Sequence, residues 1–171
     1  MVGLCPESLI AHGNRLYNLS ATCSSSTLSV HRLDDGELLT SWTVPYYEYC
    51  GRQVSHINND QIAVGGWTGK QIIIYSLTGD VVRRVPLPDC LTMESVVCMA
   101  SCGDDSVVIS DKIAGKVVRI SLKDGSLIWS CDNVTDPRGI VHHPAGYILV
   151  SCDYSDRVFN NVLDATDGIV Y

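Results

Sequence analysis

Four glycines recur along the chain at an almost constant interval. Gly36, Gly79, Gly125 and Gly168 are 43, 46 and 43 residues apart, and each stands next to an aspartate in a short polar turn. Around each glycine the plan is the same: three apolar runs separated by turns, the glycine turn, then a fourth run. Turns of this Asp-Gly kind between alternating apolar runs are a strong signal of β-hairpins. The period therefore predicts repeated units of antiparallel strands.

The repeat and the composition together indicate one fold class. The four copies occupy approximately residues 7–44, 51–88, 94–132 and 138–171. Four short strands repeated every 40 to 50 residues or so are typical of a β-propeller, in which each copy is a blade. The sequence has 20 Val and 13 Ile against 4 Glu and 4 Lys, and β-branched side chains favour strands. We predict an all-β, single-domain propeller over residues 1–171, with about four blades of four antiparallel strands.

Charge, hydropathy and cysteine placement exclude several classes of protein. The net charge of -7 and the pI near 5.0 disfavour a general binder of nucleic acid or anionic membranes. No apolar run approaches the roughly 20 residues of a membrane-spanning helix, and residues 1–13 do not resemble a signal peptide. The eight cysteines are scattered without a Cys-x-x-Cys pair, so we predict reduced thiols and a cytoplasmic protein without a membrane partner.

One stretch carries a family resemblance. Residues 136–159, DPRGIVHHPAGYILVSCDYSDRVF, resemble an NHL-type propeller repeat, whose pattern is P-x-G-[IV]-x-x-x-x-x-G-x-[IL]-x-V-[SA]-D. The residues that match it are Pro137, Gly139, Ile140, Gly146, Ile148, Val150 and Ser151, whereas Cys152 replaces the aspartate. Residues 107–125 follow the same pattern with Asp111 in that position. Residues 62–82 resemble a WD40 blade, and residues 117–130 resemble a quinoprotein-type repeat.

The NHL resemblance implies a function and a question about completeness. NHL rings usually close with six blades, so about four copies imply an incomplete six-bladed ring. Such a chain is expected to be a fragment of a longer protein, or to complete its ring by self-association through open blade faces. The resemblance further implies a non-catalytic scaffold that binds a protein or peptide partner.

The motifs that resemble catalytic or metal sites do not fit those sites. Residues 65–71, GGWTGKQ, lack the spacing and the following Ser or Thr of a phosphate-binding loop. His142 and His143 are adjacent, so on a strand they point to opposite faces and cannot bind one metal ion together. We therefore predict no catalytic residue, no metal ligand and no cofactor.

Two alternative functions remain open at this stage. Asp111 and Asp153 follow the second strand in successive copies, where a lactonase-like, metal-dependent hydrolase could hold calcium, although turn aspartates are the simpler interpretation. The last two copies also concentrate basic residues, so that an RNA-binding NHL module is a less favoured alternative. These basic residues are Lys112, Lys116, Arg119, Lys123, Arg138 and Arg157.

The candidate partner-binding residues lie where second strands end and third strands begin. In a propeller, the loops of every blade at one end of the ring form a common surface held by rigid strands. The candidates at that end are Trp67, Lys112, Tyr154 and Arg157.

Overall fold

The strands are grouped into four consecutive sheets. The structure, a computed structural model, describes residues 5–21, 25–44, 53–58, 60–66, 70–91, 96–132, 134–154 and 157–170. The first two sheets contain β1 (Cys5–His12), β2 (Arg15–Ala21), β3 (Ser26–Arg32) and β4 (Leu38–Val44), then β5 (Gln53–Asn58), β6 (Gln61–Gly66), β7 (Gln71–Ser76) and β8 (Val81–Pro86). The last two contain β9 (Val96–Ser101), β10 (Ser106–Asp111), β11 (Lys116–Ser121) and β12 (Leu127–Cys131), then β13 (Pro137–His143), β14 (Tyr147–Tyr154) and β15 (Arg157–Asp164).

The prediction of an all-β propeller is confirmed. Each sheet is an antiparallel meander in chain order, and the four sheets are arranged as the blades of a four-bladed propeller, numbered here blades 1 to 4. In blade 4, the described residues form three strands, and an isolated bridge from Leu163 to Val170 stands where the other blades have a fourth strand. None of the described residues belongs to a helix that could span a membrane.

The recurring glycines close the turn before the last strand of each blade, as predicted. Gly36, Gly79, Gly125 and Gly168 have φ angles of 74°, 95°, 79° and 75°, in the left-handed region that glycine enters without steric cost. In three of these turns, the aspartate before the glycine accepts a hydrogen bond at 3.0 Å from the backbone N–H two residues later. That bond is the main cause of the lowered carboxyl pKa in two of them, Asp35 and Asp124.

Blades pack face to face through apolar side chains. The innermost strands contact one another in the order β1, β5, β9 and β13. Along β7, Ile73 and Tyr75 join the apolar cluster shared with blade 1, whereas Ile72 and Ile74 join the cluster shared with blade 3. All four are almost completely buried. The alternation of strand side chains thus covers both faces of an internal blade, as the unbroken run of apolar residues predicts.

Tryptophans on the fourth strands fit against the glycine turns of the next blade. A Cβ atom at Gly79 would lie 2.7 Å from Trp42 Cδ2, and one at Gly168 would lie 2.7 Å from Trp129 Cε3. No real Cβ contact is that short, so each position accommodates only glycine while the indole stays in place. Trp42 and Trp129 thus pack between successive blades.

A polar network also joins blades 3 and 4. Arg119, on β11, is almost completely buried, and its Nε donates to Ser106 Oγ at 2.8 Å. Its two terminal nitrogens reach the Asp104 carboxylate and the carbonyl oxygen of Ala165 in blade 4. Trp129 Nε1 donates to the same carbonyl at 3.1 Å. A buried guanidinium is stable only when its donors are satisfied, so this contact fixes blade 4 against blade 3.

Blades 1 and 4 are the first and last of the arc formed by the four blades, and the outward faces of these two blades differ in composition. The face of blade 1 that points away from blade 2 is mixed: it includes Leu9 and Leu16, but at three positions it carries polar side chains where the matching face of blade 2 is apolar. The three polar residues are Asn18, Ser29 and His31, and the positions they match hold Val64, Ile73 and Tyr75. On the opposite side of the arc, blade 4 exposes the cross-strand pair Val141 and Leu149, 59% and 37% accessible.

Replacing Gly79 by Ala should destabilise the fold more than replacing Gly36 by Ala. Both residues have positive φ, so each substitution costs about 1–2 kcal/mol of backbone strain. Only Gly79 lies under a tryptophan; nothing lies within 4 Å of a Cβ at Gly36. Overpacking should therefore add about 1–3 kcal/mol to the loss in G79A. Free energies of unfolding from urea titrations measure the difference, and equal losses in the two variants would contradict the tryptophan contact.

Candidate interaction surface

The hairpin between β10 and β11 is built around a buried aspartate. Asp111 is fully buried at the end of β10, and its Oδ1 accepts the backbone N–H of Ala114 at 3.0 Å. Gly115, with φ of 62°, completes the turn and donates its N–H to the carbonyl oxygen of Lys112 at 3.3 Å. The structure therefore gives Asp111 a role in the turn, which is the simpler of the two interpretations of this residue.

A cleft of about 550 Å³ lies between this hairpin and the connection that leads into blade 4. One wall is formed by residues 112–115, and the other by Asp132 and residues 134–136. Val134 is buried in the apolar cluster between blades 3 and 4, which anchors the second wall. At the tip of the hairpin, the side chain of Ile113 is 62% accessible. The cleft therefore combines a wall anchored in the apolar core with an exposed apolar side chain.

Charged side chains near Ile113 form ion pairs whose N–O distances are longer than those of direct hydrogen bonds. Lys112 Nζ lies 3.7 Å from Asp136 Oδ1, and Lys116 Nζ lies 3.4 Å from Asp132 Oδ1. Arg138 Nε also approaches Asp136 Oδ1, at 3.7 Å. Within the described part of the chain, that buried oxygen accepts no hydrogen bond. The hydroxyl of Ser130, 2.8 Å away, and the Lys116 ammonium hold the pKa of Asp132 below its ordinary value.

The structure places three of the four predicted partner-binding residues. Lys112 lines the cleft. Tyr154 ends β14 and Arg157 begins β15, and the two are cross-strand partners at the equivalent hairpin of blade 4. Trp67 lies outside the described residues. The predicted set is therefore distributed over separate blades, and its role in binding stays a prediction.

Several of the basic residues that suggested RNA binding have acidic neighbours. Lys112, Lys116 and Arg138 pair with the aspartates of the cleft, and the buried Arg119 pairs with the exposed Asp104. An RNA-binding surface needs basic groups that are available to phosphates. The paired aspartates reduce the positive potential of this surface and weaken the RNA alternative.

Histidines cluster at the opposite end of the innermost strands. The rings of His12 and His56 stack with centroids 3.5 Å apart. Burial, and to a smaller extent the neighbouring His12, lower the pKa of His56 to about 4. Burial followed by the charge of Arg119 lowers the pKa of His142. Across the ranges that the structure describes, no three His, Cys, Asp or Glu side chains come together as metal ligands would.

Comparison with known proteins supports the fold and not a family. A scan against protein-family models and a search of curated proteins find no match. A protein of unknown function from Bacteroides caccae superposes with a TM-score of 0.70 at 15% identity, over 98% of this chain and 60% of that one. Virginiamycin B lyase from Staphylococcus aureus, in an inactive form with quinupristin, gives 0.70 at 13% identity, with coverages of 97% and 54%.

A third solved structure, glutaminyl cyclase from Myxococcus xanthus, gives a TM-score of 0.62 at 17% identity, over 93% of this chain and 72% of that one. At these identities the likeness shows the propeller fold alone. The chain spans little more than half the length of the first two structures.

Sequence reasoning found Lys112 but missed the residues that define the cleft with it. Ile113 could not be identified as a binding residue from a motif, because an isolated apolar residue in a turn forms no recognisable pattern. The signal that could have found it is its place in DKIAGK, where a large aliphatic residue sits among turn-forming residues. Asp132 and Asp136 belong to the connection between copies, so only the packing of blade 4 on blade 3 brings them to the hairpin.

Replacing His56 by Gln should make the fold less sensitive to acid. The folded chain holds the pKa of His56 at about 4, below the ordinary value of 6.5 expected when the chain is unfolded. Between these values the unfolded chain binds more protons, so the His56 contribution to stability falls as the pH drops from about 6.5 toward about 4. The drop in Tm between about pH 7 and about pH 5 should therefore be smaller in H56Q than in the wild type.

The control for this experiment is His31→Gln, in the outward face of blade 1. Carboxylates and the other histidines titrate in every variant, so only the difference between variants reports His56. The assignment is wrong if H56Q loses as many degrees on acidification as the wild type and H31Q do.

Proposed function

We propose that this chain is a non-catalytic interaction module of the NHL-repeat type, which binds a protein or peptide in the cleft between blades 3 and 4. The observation that carries the proposal is the exposed Ile113 at the tip of a hairpin, in a cleft that charged side chains also line. Protein interfaces commonly combine an apolar anchor that becomes buried with a polar rim. The cleft offers both.

The ion pairs of the rim favour exchange with a partner. The Lys112–Asp136 and Lys116–Asp132 distances exceed those of direct charged hydrogen bonds. Both pairs are partly exposed, and ion pairs of this length near a protein surface contribute about 0–1 kcal/mol. A partner segment with charges of both signs can therefore replace them at small cost, while an apolar side chain of the partner packs on Ile113.

The predicted residues on the neighbouring blades extend this surface. Tyr154, the last residue of β14, and Arg157, the first residue of β15, belong to the equivalent hairpin of blade 4, at the same end of the propeller. Trp67 belongs to the corresponding segment of blade 2 in the sequence repeat. Under the proposal, a partner that reaches beyond the cleft contacts these residues in turn, since loops on a rigid scaffold commonly carry binding function.

The structure of residues 137–152 supports the NHL part of the proposal. Pro137 begins β13, and Gly146 closes the β13–β14 turn with φ of 88°. Ile148 and Val150 are fully buried against blade 3. The residues that match the repeat pattern thus perform the tasks a blade requires of them: starting a strand, turning the chain and filling the space between blades.

A peptide selection tests the proposed site. A random peptide library displayed on phage is selected on the wild-type chain and counter-selected on the Ile113→Ser variant. Peptides recovered in this way should bind the wild type and lose at least about tenfold in Kd to I113S, as expected for an apolar anchor. Lys112→Ala should weaken the same peptides to a smaller extent. Isothermal titration measures each Kd.

The matched control is Ile169→Ser. The side chain of Ile169 is 59% accessible, a fraction similar to that of Ile113, and it lies outside the cleft. Peptides that bind I113S and I169S with the same affinity, or a selection that recovers none dependent on Ile113, would place the interaction surface elsewhere. Circular dichroism of each variant confirms that the fold is retained.

A further inference from the structure

A second cleft, of about 470 Å³, opens between blades 1 and 2 at the end opposite to the Ile113 cleft. Its blade 1 side includes Arg15, Tyr17, Arg32 and Leu39, and its blade 2 side is Leu77. Arg15 and Arg32 are direct cross-strand partners on β2 and β3. Two like charges in such a pair are unfavourable unless other groups neutralise them. The cleft therefore has a cationic rim above an apolar base.

The equivalent positions between the other blades are closed, and uncharged residues stand in the places of Arg15 and Arg32. Leu122 and Ala165 occupy the place of Leu77 in blades 3 and 4, where they are 0% and 7% accessible. Leu77 itself is only partly buried. The pair Arg15–Arg32 is matched by Gln61–Ser76 in blade 2 and by Ser106–Ser121 in blade 3. The opening and its two arginines therefore depart from the plan of the repeat.

Unsatisfied hydrogen-bond donors occur at this interface. Tyr17 is fully buried, and its hydroxyl has no hydrogen-bond partner among the described residues. The same is true of Trp42 Nε1, whose ring packs on Gly79, two residues beyond Leu77. At the interface of blades 3 and 4, the matching Trp129 Nε1 donates to Ala165. A buried donor without an acceptor costs about 1–3 kcal/mol, so the interface favours a ligand that supplies acceptor atoms.

The charges around the cleft leave one cation available. Arg32 binds two carboxylates, with Asp35 Oδ2 at 2.8 Å and Glu37 Oε2 at 2.6 Å. Asn14 Nδ2 donates to Asp34 Oδ2 at 2.6 Å, which occupies the third carboxylate of this turn. Arg15 is exposed and forms no ion pair within the residues that the structure describes. Its guanidinium can bind a carboxylate through two parallel hydrogen bonds.

We propose that the cleft between blades 1 and 2 binds a small carboxylate that carries an apolar group. The Arg15 guanidinium binds the carboxylate, and Tyr17 donates its hydroxyl to an acceptor atom of the ligand. Leu39 and Leu77 pack against the apolar group. A carboxylate is favoured over a neutral ligand because the lining supplies hydrogen-bond donors and the positive charge of Arg15. It is favoured over an anion with more than one negative charge because the acidic turn around Arg32 repels additional negative charge.

Titration with a matched pair of probes tests the proposal. The probes are 4-phenylbutyrate and its neutral amide, 4-phenylbutanamide, added to the ¹⁵N-labelled chain and followed by two-dimensional NMR. We expect the acid to shift the Trp42 indole N–H resonance saturably and more than that of Trp129. The amide should bind at least about tenfold more weakly, because it lacks the charge that Arg15 recognises.

Two substitutions and a control locate the site. Arg15→Gln, on the surface, should raise the Kd for the acid about tenfold, and Tyr17→Phe should raise it about threefold. Arg84→Gln, an exposed arginine on the outer strand of blade 2, should leave it unchanged. The proposal is overturned by equal affinities for acid and amide, by equal effects of R15Q and R84Q, or by no saturable shift of the Trp42 resonance. R15Q does not change the Ile113 cleft, so a negative result for the carboxylate site leaves the proposed peptide-binding site untouched.

Discussion

The packing of one blade's apolar face on the next is the interaction on which the rest of the structure depends. A single antiparallel sheet of short strands is marginal in water, because it buries only one side at best. Here the side chains of an internal strand such as β7 alternate between two apolar clusters, so each blade stabilises both of its neighbours. The tryptophan–glycine contacts fix the separation and register of blades, since a side chain at Gly79 or Gly168 would displace an indole.

Both candidate sites lie between blades, where packing departs from the repeat. Between blades 3 and 4, Arg119 and Trp129 converge on the carbonyl of Ala165 and close one end, while the connection into blade 4 leaves the Ile113 cleft at the other. Between blades 1 and 2, none of the described residues takes the part of Arg119, and the matching end stays open. The opening between blades 1 and 2 therefore arises where a structural contact present in one interface is absent from another.

The sequence carried enough information for the fold but for only part of the sites. Strand spacing, the four turn glycines and the two wedged tryptophans follow from local pattern, because alternation and φ preference act within a few residues. Lys112 could be placed by its position after a second strand. Its partner Asp136 and the fully buried Tyr17 could not, because the cleft walls join residues from different blades. Cross-blade contact is a property of packing, which a periodic pattern alone does not specify.

The two outward faces constrain how the arc can be extended. Pairing two copies head to tail would place the polar Asn18 and Ser29 of blade 1 against the exposed Val141 and Leu149 of blade 4. Such a contact leaves the buried Asn18 Oδ1 without a hydrogen-bond partner, which is unfavourable. Blade 4 instead presents an apolar row of the kind that blades 1 to 3 bury against their successors. A sheet that packs on this row needs an apolar face of its own, as the faces between blades 1 to 4 have.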